Sequence, residues 1–278
     1  MLCYHRIGGP LELGVTRVSR SVFARQMTAL ARAGWRTLTL AEFGERVTHP
    51  ASRPSHPELL LTLDDGYASL ADQAYPLLAD LGFTATTFLV TDYVGGLNTW
   101  DVRYTRKRLR HLDWTAIEHW RARGFDFGSH SASHARLTWL SDADACSELV
   151  RSRATLVGRL GPSAGRAVAY PFGARDQRVQ RLAESAGYEL GFGAVRESRS
   201  GRGGALALGR VPVYGWDVGA VPWGLRRDAI GSLGRLVADL ANRCAVGTSV
   251  IQRFTTDSPS PPLLPSRDIP CPRRPSPL

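Results

Sequence analysis

The feature that most constrains this chain is a short apolar run that stops on two acids. Leu59-Leu60-Leu61-Thr62-Leu63 leads directly into Asp64-Asp65-Gly66-Tyr67. A continuous apolar segment of this length, with a β-favouring Thr and a turn signal at its end, reads as a strand buried on both faces. The two acids then lie at its C-terminal tip, the edge where α/β architectures bind ligands, and Gly66 lets the backbone turn beyond them. Neighbouring carboxylates repel, so a metal ion, an arginine or a shared proton has to hold them. Asp-Gly is also ordinary turn chemistry, and the stretch by itself leaves both readings open.

Around this strand the chain alternates β and α patterns. A strand over Leu2 to Ile7 comes first, then a helix capped by Ser21 with Phe23, Met27, Leu30 and Ala31 on one face and Gly34 at its end. Trp35 to Leu38 reads as a strand, Thr39 with Glu42 as a capping box, and residues 50 to 57 as a loop. Ala68 to Leu81 has a helical period that stops at Gly82, and Thr84 to Val90 is β-branched and aromatic. A basic loop over 91 to 112 contains Trp100, and Asp113 caps a helix that ends at Gly124. Ser141 with Asp144 opens a helix to Leu160, and Asp176 to Ala186 is a further helix. Later strands are expected at Tyr188 to Phe192, Leu206 to Tyr214 and Thr248 to Phe254, with a helix over Asp228 to Ala241. Such alternation without repeats predicts parallel strands with helical crossovers, either closed into a barrel or as an open doubly wound sheet.

Two further stretches resemble the first. A short strand over 124 to 128 is followed by His130-Ser131-Ala132-Ser133-His134. Two imidazoles at this spacing can meet one cation, and Asp65 from another strand end would complete a two-His, one-Asp set with positions left for water. A surface histidine pair is the plainer alternative. Val168 to Tyr170 is a strand that ends in Pro171-Phe172-Gly173, with Arg166 just ahead of it.

In order and spacing, TLDDG, HSASH and RAVAYPFG resemble the TFDDG, H[ST]xxH and RxxxxPxG motifs of the polysaccharide deacetylase family, carbohydrate esterase family 4 or NodB homology domain. The resemblance spans roughly residues 1 to 252 and implies a distorted (β/α) barrel. It assigns Asp65, His130 and His134 to one divalent metal, Zn²⁺ most simply, with Co²⁺ or Ni²⁺ also suited. Asp64 becomes the general base, Arg166 the residue that positions it, and the Phe172 N–H an oxyanion donor, while Pro171, Phe172 and Tyr170 wall the acetyl pocket. Most members take the leaving-group proton from a histidine late in the chain, whereas no histidine follows His134 here. One branch, resembling the poly-N-acetylglucosamine deacetylases, is circularly permuted and carries that strand first, which points to His5 as the general acid. First and last strands adjoin in a closed barrel, so the histidine keeps its place in space. Asp217 is in position to orient it, and Trp100, Trp216 and Trp223 lie on loops where a ring can stack on a sugar.

The implied activity is metal-dependent removal of acetyl groups from N-acetylated sugars. A glycan-binding relic without turnover and an amidohydrolase of small non-sugar amides are the rival readings. The net charge of +10 invites a nucleic-acid reading, but all basic residues except Lys107 are arginine and they spread over the whole chain. That leaves the cluster Arg103, Arg106, Lys107, Arg108 and Arg110 as a contact for an acidic polymer. Cys3, Cys146, Cys244 and Cys271 show no CxxC spacing and read as free thiols. No run approaches the roughly 20 apolar residues of a membrane span. Met1 leads into a strand instead of a signal sequence, although the family mostly works on envelope or secreted polymers. The catalytic domain is expected over 1 to 256, with the Pro, Ser and Arg-rich residues 257 to 278 as a disordered tail.

Overall fold

The computed structural model describes residues 1–9, 16–49, 54–100, 108–194 and 204–226. Seven parallel strands close into a barrel: β1 Leu2–Tyr4, β2 Leu61–Leu63, β3 Thr86–Leu89, β4 Asp126–Ser129, β5 Ala167–Ala169, β6 Leu190–Ala194 and β7 Leu208–Pro212. They stand around the ring in chain order, and β1 closes it by pairing with β2 on one side and β7 on the other. This is the expected (β/α) barrel, distorted in having seven strands where the regular form has eight. Helices α1 Arg20–Arg32, α2 Leu40–Thr48, α3 Ser69–Gln73, α4 Tyr75–Asp80, α5 Trp114–Arg121, α6 Asp142–Leu160 and α7 Gln177–Ser185 accompany the strands.

Strand alternation sorts the side chains. Leu61 and Leu63 of β2 point outward into the largest core, with Phe23, Met27, Tyr75 and Phe127. Thr62 and Asp64 point inward with Arg210 of β7. The lower barrel interior is apolar: Phe88, Ala167, Ala169, Leu190 and Phe192 pack together, and α2 closes that end with Leu40 and Phe43. The Leu40 N–H donates to Asp126 at the start of β4, which fixes α2 at the N-terminal end of the strands. The opposite, C-terminal rim is left for polar chemistry. There the register sets Tyr4 level with Leu63, so the next residues, His5 and Asp64, emerge side by side.

Thr39 and Glu42 form the capping box, and Asp113, Ser141 and Asp176 cap their helices as expected. Other boundaries differ. Ser19, not Ser21, accepts from Val22 N–H and starts α1. Leu59 leaves the central strand to pair with Thr37 in a two-stranded ribbon, because the chain must turn inward at Leu60. The helix expected over Ala68 to Leu81 breaks at Ala74, two residues before Pro76, whose missing N–H cannot continue the ladder. The later strands begin two residues beyond expectation, at Leu190 and Leu208, and β1 pairs with Leu208–Pro212. The helix over 228 to 241, the strand over 248 to 254 and the tail lie outside the described residues. Cys146 is disulfide-bonded, which corrects the reading of four free thiols. Cys3 is a free, buried thiol. Among the described residues no helix is long and apolar enough to cross a membrane.

Candidate active site

The rim loops carry unusual backbone. Asp65, Ser131, His134 and Phe172 are the non-glycine residues with positive φ among those described, at 60 to 70°. All four sit just beyond the ends of β2, β4 and β5, where such local strain is maintained by the surrounding contacts. Gly66 adds φ 68°, and a Cβ there would lie 2.6 Å from the Leu89 side chain, so the turn after the two acids requires glycine.

These turns bring Asp65, His130 and His134 together. Asp65 Oδ1 lies 3.5 Å from His130 Nε2 and 3.5 Å from His134 Nε2, all three side chains being buried. His130 Nδ1 donates to the Ala169 carbonyl at 2.7 Å, which leaves Nε2 with its lone pair facing Asp65. Asp65 Oδ1 itself is buried without a hydrogen-bond partner. An orphaned carboxylate oxygen facing two imidazole nitrogens is a donor set for a divalent cation, and these residues fit one. Burial would raise the Asp65 carboxyl, but the surrounding imidazoles, His130 foremost, hold it below its ordinary value. Burial and the neighbouring His130 push His134 down to about 3, so its ring is neutral and free to offer a lone pair.

Asp64 is held differently. Arg210 grips it with both nitrogens, Nη1 to Oδ1 at 2.6 Å and Nη2 to Oδ2 at 2.7 Å, and also donates to Thr62 Oγ1 at 3.0 Å. The guanidinium lies over the rings of Phe88 and Phe192, at 5.3 and 5.8 Å. The Cys3 thiol donates to Asp64 Oδ2 at 3.4 Å and is pushed far up by burial, so it remains a thiol. Burial works against the charged Asp64, yet Arg210, then His130, keep its carboxyl well below the usual range. A ligating nitrogen of His5 lies within 4.8 Å of the Asp64 carboxylate and the Cys3 sulfur.

Other expectations are corrected. Arg166 does not position Asp64: it precedes β5 at the N-terminal end of the barrel and pairs with Glu189 at 2.6 Å. The rim lies a whole strand away, at about 3.3 Å per residue. Arg210 takes its place, and its one sequence signal is a charge set within an otherwise uncharged strand, where burial demands a partner. Tyr170 does not wall a pocket; its ring packs with Val168, Val179 and Tyr188, and its hydroxyl donates to the Leu206 carbonyl. Phe172 stays at the site, 4.7 Å from the His134 ring, just after Pro171. Asp217 does not bond His5. Its Oδ2 accepts from the Trp223 N–H, while Asp217 Oδ1 and His5 Nδ1 are both buried without partners. Burial pushes the Asp217 carboxyl up to about 6. Trp216 packs on Tyr214, and Trp100 on His134 with ring centroids 3.8 Å apart. Of the basic cluster, residues 101 to 107 lie outside the described residues.

Residues 51–191 match the family model described as polysaccharide deacetylase. The Bacillus subtilis protein YxkH, named as a candidate polysaccharide deacetylase, is 28% identical over 77% of this chain and 70% of its own length. The poly-β-1,6-N-acetyl-D-glucosamine N-deacetylase of Staphylococcus aureus is 25% identical over 63% of this chain, a match that spans 60% of the staphylococcal protein. Among solved structures, the Streptococcus pyogenes deacetylase PplD in complex with acetate superposes with a TM-score of 0.67 at 21% identity, covering 81% of this chain and 94% of that one. IcaB from Ammonifex degensii gives 0.62 at 22%, covering 87% and 95%. At these identities the two structures speak for the fold.

Proposed function

The chain belongs to the polysaccharide deacetylase family, and from that premise we propose that it is a metal-dependent hydrolase removing acetyl groups from the N-acetylated sugars of a polysaccharide. One observation carries the metal requirement: the buried Asp65 Oδ1, without a hydrogen-bond donor, shared at 3.5 Å by two histidine nitrogens. In this reading Asp65, His130 and His134 hold the cation. When bound, it supplies Lewis acidity, polarising a carbonyl and bringing the pKa of water towards about 7.

The remaining work falls to the chain's own groups. Asp64, kept ionised by Arg210, accepts the proton of the attacking water. Its low basicity is the reason the water must already be acidified. As the water oxygen bonds to the acetyl carbon, the backbone N–H of Phe172 donates to the developing oxyanion. His5, beside Asp64 on the rim, protonates the sugar nitrogen as the C–N bond breaks, leaving acetate and a free amine.

The name of the staphylococcal relative makes poly-β-1,6-N-acetylglucosamine the first substrate to try. The test is acetate release from N-acetylglucosamine oligomers by metal-stripped protein, before and after adding Zn²⁺, Co²⁺ or Ni²⁺. Metal-dependent release that is lost in Asp64→Asn is expected. Tight metal binding with no release from any acetylated glycan would overturn the proposal.

A further inference from the structure

A hairpin not used by the mechanism is stitched to the two acids. Its arms run together by backbone hydrogen bonds from Asn98 N to Leu109 O and from His111 N to Gly96 O. The second arm also bonds the turn after β2, through Ala68 N to Arg110 O and Leu112 N to Gly66 O. Between these lies a partly buried relay. Trp100 Nε1 donates to His111 Nε2 at 3.3 Å, and His111 Nδ1 faces the Asp65 carbonyl at 2.8 Å.

Hydrogen-bond chemistry fixes the tautomer. An indole N–H only donates, so Nε2 must accept; a carbonyl only accepts, so Nδ1 must carry the proton. His111 therefore holds the peptide oxygen of Asp65, a residue with φ 70° that needs external support. Tyr67 stacks on the His111 ring at 5.3 Å, and Tyr93 tilts against it at 5.9 Å. The other end of the relay reaches a second ligand, since the Trp100 ring lies 3.8 Å from that of His134 at an interplanar angle of 32°.

We infer that Trp100 and His111 are a positioning pair for the cation site: His111 fixes the left-handed backbone of Asp65 and Trp100 fixes the ring plane of His134. This rests on the metal-dependent reading above and deepens it. It also replaces the sugar-stacking role for Trp100, because the ring face nearest the site is already covered by an imidazole.

The test separates the two nitrogens of His111. In His111→Asn the amide nitrogen falls near the place of Nδ1 and keeps the bond to Asp65; in His111→Gln it falls near Nε2 and loses it. Zn²⁺ affinity, measured by competition with a chromophoric chelator, is expected to fall roughly 10–100-fold in Gln and to remain within about threefold in Asn. Trp100→Ala should weaken Zn²⁺ and shift the visible absorption of the Co²⁺ form, whereas Trp100→Phe, which keeps a ring over His134, should retain that spectrum. Melting of the metal-free variants provides the folding control, and an Asn/Gln contrast cannot come from a merely structural loss, which would strike both. Equal Zn²⁺ affinities in wild type, Gln and Trp100→Ala, or a raised KM for glycan with unchanged metal affinity in Trp100→Ala, would overturn the inference. Failure of the wild type itself to bind Zn²⁺, Co²⁺ or Ni²⁺ would instead remove the metal-dependent reading, and this pair's role with it.

Discussion

Asp64 and Asp65 are neighbours in sequence, equally buried, and opposite in how the fold treats them. Asp64 is saturated: a bidentate guanidinium, a thiol and the floor of the barrel occupy it. Asp65 is starved: its side-chain Oδ1 accepts no hydrogen bond, and only its backbone is held. Under the proposed roles, the difference is that the carboxylate serving as base has its charge neutralised by the protein, whereas the one serving as ligand has its acceptor left vacant. The turn at Asp65, with its positive φ, is what sends two consecutive side chains into such different surroundings.

Substituting the acids one at a time should break the comparison most visibly. Asp64→Asn is expected to lower turnover about 10²–10⁴-fold, the usual worth of a general base, with Zn²⁺ affinity close to wild type. Asp65→Asn should lose both together, as calorimetric titration and acetate release will show. If Asp64→Asn instead abolishes metal binding, the division of labour between the two is wrong.

Next in size comes the partner of Asp64. Arg210→Met leaves a buried carboxylate uncompensated and should destabilise the fold by about 3–5 kcal/mol in urea unfolding. Arg166→Met, which breaks a partly exposed pair with Glu189, should cost no more than about 1 kcal/mol and leave turnover within tenfold. Similar losses in the two variants would return Arg166 to the site.

Smaller effects sharpen the picture on the Asp64 side. Asp217 has a carboxyl pushed by burial from its ordinary 3.8 up to about 6. A raised folded value favours the protonated form, so this group's contribution is full below pH 3.8 and is lost as pH rises through about 6. Asp217→Asn, uncharged throughout, should therefore gain on wild type in thermal midpoint on going from about pH 4 to about pH 7. A gap independent of pH would contradict the assignment. Smallest of all, Cys3→Ala removes one weak donor from Asp64 and should change stability by less than about 1.5 kcal/mol.

Sequence carried the acids and the histidines because their motifs are local: each lies within five residues, at a strand end marked by a turn. The barrel was legible for a similar reason, since apolar strands and capped helices announce themselves within ten to twenty residues. Arg210 was not legible. It is one arginine among many, and what distinguishes it is the closure of the ring, which sets β7 beside β1 and β1 beside β2. Arg166 sat inside a matching motif and misled for the complementary reason, because a motif gives spacing along the chain but not which end of a strand faces the site. Trp100 was singled out as a ring on a loop, and sequence does not show that His134 already covers that ring.

The ring has a consequence in time. Asp65, His130 and His134, the proposed metal ligands, are all translated by residue 134, but Asp64 meets its counter-charge only when Arg210, on the last strand of the ring, pairs up beside the first strand. In the proposed reading, a nascent chain therefore carries its cation donors well before it carries a complete hydrolase. On that reading the site is completed as the last seam closes, and a chain stalled or cleaved short of β7 is left with Asp64 still lacking its counter-charge.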